Sequence, residues 1–205
     1  MSKFDYENVA GNHYDKYNSK NPIAAYLVSG FLRNFLELVD HTKARDAFEV
    51  GCGEGHLSLA MLRKGLKVRG ADLEDTVVRQ ANEAAQSEGF PEHFIVRDLY
   101  ELSEGDASAD LVVCCEVLEH VPDPAAALQV LTGLARPWLL VSVPREPIWR
   151  GLNMARGKYL GEMGNTPGHI QHWGRNAFVD LVSRNARIEE IRTPLPWTMV
   201  LCRCD

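Results

Sequence analysis

The chain has 205 residues, 45% of them hydrophobic and 24% charged, and its 22 Lys and Arg stand against 28 Asp and Glu for a net charge of −6. That length suits one domain with its own core, the balanced composition excludes a disordered or fibrous chain, and the acidic surplus argues against general attraction to nucleic-acid phosphate. Five cysteines, at 52, 114, 115, 202 and 204, lack the spacing of a zinc ribbon or a secreted disulfide framework and read as reduced thiols. The polar, tyrosine-rich start and the lack of any run of about 18 apolar residues lead to the expectation of a cytoplasmic protein, neither exported nor membrane-spanning. A single domain over 1–205 is expected, with a helical cap over 1–40 and an insertion over 144–175.

From the N-terminus, Ile23, Leu27, Phe31, Phe35 and Leu38 recur at helical spacing, so 23–39 is predicted as an amphipathic helix started by Asn21-Pro22. Residues 47–50 read as a short buried strand, 51–55 as a tight turn and 56–64 as the helix behind it. Strands follow at 67–71, 93–97, 109–114 and 138–143, with helices at 75–87 and 124–134 between them. This alternation is the pattern of right-handed βαβ units, and it predicts a doubly wound α/β fold with a largely parallel sheet covered on both faces. Near the C-terminus, 176–183 reads as a helix, while 187–192 and 197–204 read as two strands of an antiparallel hairpin around a Pro-rich turn. The only long irregular stretch, 144–175, is rich in Gly, Arg and His, as functional loops of that length usually are.

The segment Glu49-Val-Gly-Cys-Gly-Glu-Gly55 sets three glycines between a strand and a helix, where side chains would hold a ligand away from the backbone. Its Gly-x-Gly-x-Gly spacing is not that of the dinucleotide fingerprint, which weakens a nicotinamide reading. Asp72 closes the second strand, where a carboxylate can accept both hydroxyls of a ribose, and Asp98 closes the third, where one can accept an adenine amine. Either aspartate alone reads equally as a helix cap. Together they mark the edge at which open α/β sheets bind ligands.

These residues, with Glu116-Val-Leu-Glu-His120, resemble the motif series of class I methyltransferases over 47–143. The resemblance implies S-adenosylmethionine as cofactor and a seven-stranded sheet with an antiparallel C-terminal strand, in keeping with the hairpin. It implies that Gly51, Cys52 and Gly53 approach the methionyl moiety and that Glu49 supports its amino group through water. Asp72 and Asp98 with Leu99 would hold the adenosine, and Gly55 and Leu73 count among the cofactor contacts. One departure is Ala135-Arg-Pro-Trp138, where the family has a Gly-Gly turn before the fifth strand.

Glu116, Glu119 and His120 stand at i, i+3 and i+4, so a helical turn after the fourth strand would put them on one face. Methyl transfer needs a positioned acceptor and a group to take its proton, which makes His120, beside Glu119, the candidate general base. In a plainer reading Glu116 holds the cofactor, Glu119 is solvated and His120 packs against Val121-Pro122. In a third, the cluster binds Mg²⁺, Mn²⁺ or Zn²⁺ once another ligand arrives from His169 or His172. The string is similar to those of two methyltransferase groups, the ubiquinone-pathway O-methyltransferases and the small-RNA 3′-terminal ribose methyltransferases. The second group binds a metal through this string and a later His, four residues before a Trp. Counting back from Trp173, it implies the set Glu116, Glu119, His120 and His169.

The 144–175 stretch is locally basic, with Arg145, Arg150, Arg156, Lys158 and Arg175 against Glu146 and Glu162. Ile148, Trp149, Leu152, Ala155 and Tyr159 fall near helical spacing, as expected of a lid packed over the site; peripheral membrane contact through 145–160 is the alternative. Tyr14 and Tyr17 are expected to close the site from the other side. The whole reads as a methyltransferase, with oxygen preferred over nitrogen or carbon as the acceptor atom and a small hydroxylated molecule preferred over nucleic acid. A non-catalytic cofactor-binding module is the contrasting class, and oligomeric state is not encoded in any motif.

Overall fold

The computed structural model describes residues 21–91 and 93–204; the expectations for Tyr14 and Tyr17, and half of the expected N-terminal cap, lie outside them. The first described helix, α1 (Pro22–Thr42), begins where the Asn21 side chain accepts the Ile23 N–H at 2.9 Å, and it ends on Lys43 in the left-handed region. Phe31, Phe35 and Leu38 fall on its buried face as the spacing requires, while Leu27 is half-buried and Ile23, expected on the same face, is exposed in the first turn. Its 21 residues are also long and apolar enough to cross a bilayer, which corrects the expectation that the chain holds no such stretch. The side chains explain the apolarity: Phe35 and Leu38 are fully buried among residues of the sheet and of the next helix, the role of a core helix.

Seven strands follow: β1 (Asp46–Val50), β2 (Lys67–Asp72), β3 (Phe94–Val96), β4 (Ala109–Cys115), β5 (Ala135–Pro144), β6 (Arg187–Arg192) and β7 (Trp197–Arg203). They form one sheet in the order β3-β2-β1-β4-β5-β7-β6, in which β7 runs antiparallel to the other six strands. The helices between them are α2 (His56–Arg63), α3 (Asp75–Ser87), the short α4 (Glu104–Ala107), α5 (Pro124–Leu134), α6 (Ile148–Ala155) and α7 (Arg175–Ser183). The expected doubly wound fold and hairpin are therefore both present. Each central strand serves two cores, because successive side chains point to opposite faces. On β4, Leu111 and Val113 join Phe35 and Met61 on one side, while Val112 and Cys114 join Leu128, Leu131 and Phe178 on the other.

Two local expectations change. The segment Ala135-Arg-Pro-Trp138, expected as a turn, is the start of β5: Ala135 pairs with Ala109, and a register shift before Leu111 absorbs the irregularity. Residues 144–175 are not irregular throughout, since they contain α6 and a single 3-10 turn at Leu160–Glu162. All five cysteines are buried free thiols. Phe35→Ala is expected to cost about 3–5 kcal/mol, because its fully buried ring leaves a cavity between α1 and the sheet. Urea denaturation with an unchanged slope and a lowered midpoint is the measurement that checks it.

Candidate functional site

Strand order reverses between β1 and β4, and ligands of open α/β sheets bind at that switch point, beyond the carboxyl ends of the strands. The glycine turn leaves β1 there. Its Gly51 and Cys52 N–H groups donate to the Ala71 carbonyl at 2.7 and 3.0 Å, and the Gly53 N–H donates to Asp72 Oδ2 at 2.8 Å. Gly51 has φ 73°, and a Cβ there would lie 2.2 Å from Val117 Cγ2, so the loop after β4 closes directly on the turn. Asp72 also accepts the Glu74 N–H at 3.1 Å through its other oxygen; a carboxylate has lone pairs for further donors, so this bracing is compatible with a ribose contact. Asp98 accepts the Tyr100 N–H at 3.0 Å and caps a 3-10 turn, Leu99–Glu101. Leu73 is left 44% exposed at the same edge, while Leu99 is buried.

Beneath the turn lies Glu49, a carboxyl that is 2% exposed and accepts the hydroxyl of the fully buried Ser58 from α2. Burial pushes its pKa up to about 8 and the nearby Asp72 adds to the rise, while the Ser58 hydrogen bond opposes it. Cys52 is likewise pushed well above the ordinary thiol range by burial and by Glu49, so it is a packing residue and not a nucleophile.

The Glu-x-x-Glu-His string does not lie on one helical face. Glu116 takes φ 61° and stands outside the 3-10 turn Leu118–His120, so its carboxylate turns away to accept Ser142 Oγ at 3.2 Å and Trp197 Nε1 at 2.6 Å. Glu119 is 2% exposed, which corrects the reading of a solvated carboxylate. Its carboxylate, His120 and His169 form a group whose potential ligand atoms all lie within 4.8 Å of one another. Of the four expected metal ligands these three are gathered, and Glu116 stands apart from them, held by Ser142 and Trp197. His172 is an exposed residue bonded to Asn165 Oδ1 at 2.7 Å and takes no part.

The loop carrying His169 is tied down by backbone geometry. The Glu119 carbonyl accepts the Ile170 and Gln171 N–H groups at 3.0 and 3.1 Å, and the Gly168 carbonyl accepts from His120 Nδ1 at 2.9 Å. A carbonyl can only accept, so Nδ1 carries the proton in the neutral ring and Nε2 is the basic atom. Trp149 on α6 stacks over His169 with ring centroids 6.0 Å apart and donates its Nε1–H to Thr166 Oγ1 at 2.9 Å. This indole turns inward onto the His169 ring. The contributions of Ser58, Ser142, Thr166 and Trp197 escape a sequence reading. Only Ser58 leaves a trace there, as a hydroxyl within the apolar run of α2.

Residues 48–138 match the family model described as a methyltransferase domain. The chain is 34% identical over 151 residues to a ubiquinone biosynthesis O-methyltransferase of Cupriavidus pinatubonensis, covering 65% of this chain but only 59% of that relative. It is 30% identical over 165 residues to the protein of the same name from Hahella chejuensis, covering 71% of this chain and 68% of that relative. The chain belongs to the class I S-adenosylmethionine-dependent methyltransferase family. In fold, this methyltransferase-family chain is similar to the magnesium protoporphyrin IX methyltransferase of Synechocystis PCC 6803 with bound SAM, at a TM-score of 0.70 and 19% identity over 98% of this chain and 94% of the other. The segment matched by the family model holds Glu49, the glycine turn, Asp72, Asp98 and the 116–120 string, whereas the His169 loop and α6 lie beyond it.

The raised pKa of Glu49 fixes a pH dependence. Between the unfolded value of 4.5 and the folded value of about 8, the folded chain keeps a proton that the unfolded chain has lost. Stability from this group is therefore full below the lower value and falls as pH rises through that window. Denaturant midpoints measured from pH about 5 to about 9 should decline more steeply for the unaltered chain than for Glu49→Gln, which cannot ionise.

Proposed function

We propose that the chain transfers a methyl group from S-adenosylmethionine to an oxygen of a small hydroxylated acceptor. The observation that carries this reading is the imidazole of His120, whose Nδ1 is committed to the Gly168 carbonyl at 2.9 Å beside the cofactor edge of the sheet. Its Nε2 is thereby left as the base. In the reaction the acceptor oxygen attacks the methyl carbon in line with the departing sulfur, the carbon–sulfur bond breaks, and the sulfonium becomes a neutral thioether. The acceptor proton passes to His120 Nε2, and the buried Glu119 carboxylate offsets the resulting imidazolium charge. An acceptor that must lose a proton profits most from such a base, which favours oxygen over nitrogen or carbon.

Glu49, Gly51, Cys52, Gly53, Gly55, Asp72, Leu73, Asp98 and Leu99 make up the proposed cofactor site, with Glu116 at its border. A cofactor ammonium near Glu49 would favour the charged carboxylate, so binding near neutral pH should release a proton from it.

Glu119, His120 and His169 also suit a divalent cation, for which they offer one buried carboxylate and two imidazoles. The backbone bond at His120 Nδ1 is the support that metal-binding imidazoles commonly have. Bound there, Mg²⁺, Mn²⁺ or Zn²⁺ would supply positive charge that lowers the pKa of the acceptor hydroxyl.

Isothermal titration with S-adenosylhomocysteine on chelator-treated protein, repeated with each metal added, tests the reading. Micromolar binding is expected for the unaltered chain and its loss for Asp72→Ala, which removes the brace of Gly53 together with the proposed ribose contact. His120→Ala should keep the binding and lose methyl transfer to a catechol by a hundredfold or more, on the order of a general base's contribution. A His120→Ala protein that still methylates at full rate refutes the base. Absence of binding under every condition refutes the methyltransferase activity.

A further inference from the structure

Between α1 and α6 lies a cavity to which the reaction described above assigns no residue-level role. Its apolar walls are Leu27 and Val28 from α1, Trp149 and Leu152 from α6, and Trp197 from β7. Among the described residues its charged lining consists of Arg156 and Lys158, with no carboxylate. In a chain of net charge −6, that is a local inversion of sign.

The polar wall is built from a buried residue. Asn153 is 1% exposed; its amide donates to the Gly164 carbonyl at 2.9 Å and to Thr166 Oγ1 at 3.2 Å, and its oxygen accepts from Arg156 Nη2. Arg156 Nε also donates to the Leu152 carbonyl, at 3.2 Å. Gly164, at φ 78°, lies so close that an added Cβ would meet the Arg150 carbonyl at 2.4 Å. The guanidinium is thus held against the cavity before any ligand arrives, with donors remaining in its planar fork.

The inner wall of the cavity is the outer wall of the reacting centre. Trp149 stacks on His169, and Trp197 holds Glu116. We infer that this cavity is the acceptor subsite and that it takes an apolar or aromatic acceptor bearing an acidic group, a carboxylate or sulfonate, which pairs with Arg156 and Lys158. The inference rests on the methyltransferase reading and adds the acceptor's chemical class. Its apolar body lies along the indoles, and its anion sits at the basic end of the lid, away from the hydroxyl that reacts.

Two naphthalene dyes separate charge from shape: 8-anilinonaphthalene-1-sulfonate and its uncharged counterpart N-phenyl-1-naphthylamine. Fluorescence titration should show the sulfonate binding about tenfold or more tightly than the neutral dye, as one charge-assisted contact implies. Energy transfer from tryptophan should place it in the cavity by weakening in Trp149→Phe. The double variant Arg156→Gln with Lys158→Gln should lose that tenfold advantage and leave the neutral dye's affinity as it was, while Arg156→Lys should retain most of it. Equal affinity for the two dyes, or a sulfonate preference that survives the double variant, overturns the proposal. An S-adenosylhomocysteine titration of the same samples reports on the methyltransferase reading separately: cofactor binding without a charge preference refutes the acceptor class alone, and no cofactor binding refutes the reading beneath it.

Discussion

The candidate site depends on one peptide carbonyl, that of Glu119, which accepts the N–H groups of both Ile170 and Gln171. Two donors on one oxygen pin a segment from beyond β5 onto the turn that follows β4. The pinning brings His169 against His120, with ring centroids 4.8 Å apart. From there the order spreads outward: the Gly168 carbonyl fixes the tautomer of His120, the His169 ring receives Trp149, and Trp149 holds α6 over the sheet. Each of these contacts needs the loop in one position. Without the doubled bond His169 would rest on fewer ties to the turn that carries Glu119 and His120.

Charge is distributed to match. Two carboxyls, Glu49 and Glu119, are buried close to the switch point of the sheet, and a buried carboxyl is receptive to a partner of positive charge. For Glu49 the effect is explicit, since burial raises its pKa to about 8 even against a hydrogen bond from Ser58. A sulfonium cofactor carrying an ammonium group supplies such charge. The segment 144–175 carries a surplus of the opposite sign, and its Arg156 and Lys158 line the cavity on whose wall Trp149 and Trp197 also stand. On the proposed reading the cofactor meets buried carboxyls and the acceptor meets basic side chains, so the two ligands are sorted by charge as well as shape.

The scaffold was legible because its signals are local. Apolar spacing and flanking turn residues placed α3 at 75–87, α5 at 124–134 and β6 at 187–192 with the bounds the structure has. The glycine turn, Asp72 and Asp98 were legible for the same reason, each standing at a strand end that the alternation had already defined. What could not be read was backbone geometry that residue type does not announce. Glu116 sits at φ 61°, a conformation favoured by glycine and costly for a glutamate, and this one torsion takes it off the face that i, i+3, i+4 spacing assigns. Its partner Trp197 is 81 residues away, a separation over which no periodicity carries information. Apolarity misled at α1 too, where a face buried on the sheet gives a helix of bilayer length.

The difference between these outcomes follows from where the constraints lie. Strand-end residues are set by the sheet, whose hydrogen-bond register leaves a single place for the residue after each strand, so sequence position translates directly into spatial position. Residues of 144–175 are set largely by packing on one another: Asn153 binds Gly164, Thr166 and Arg156, all within its own segment. Such a segment can change its lining residues without disturbing the sheet, because few of its bonds reach the strands. The proposed cofactor edge is therefore bound to the architecture that produces it, and the proposed acceptor subsite depends on contacts within its own segment. On the proposed reading, the choice of acceptor lies with residues 144–175 and the facing side of α1, through the chemistry of the cavity lining.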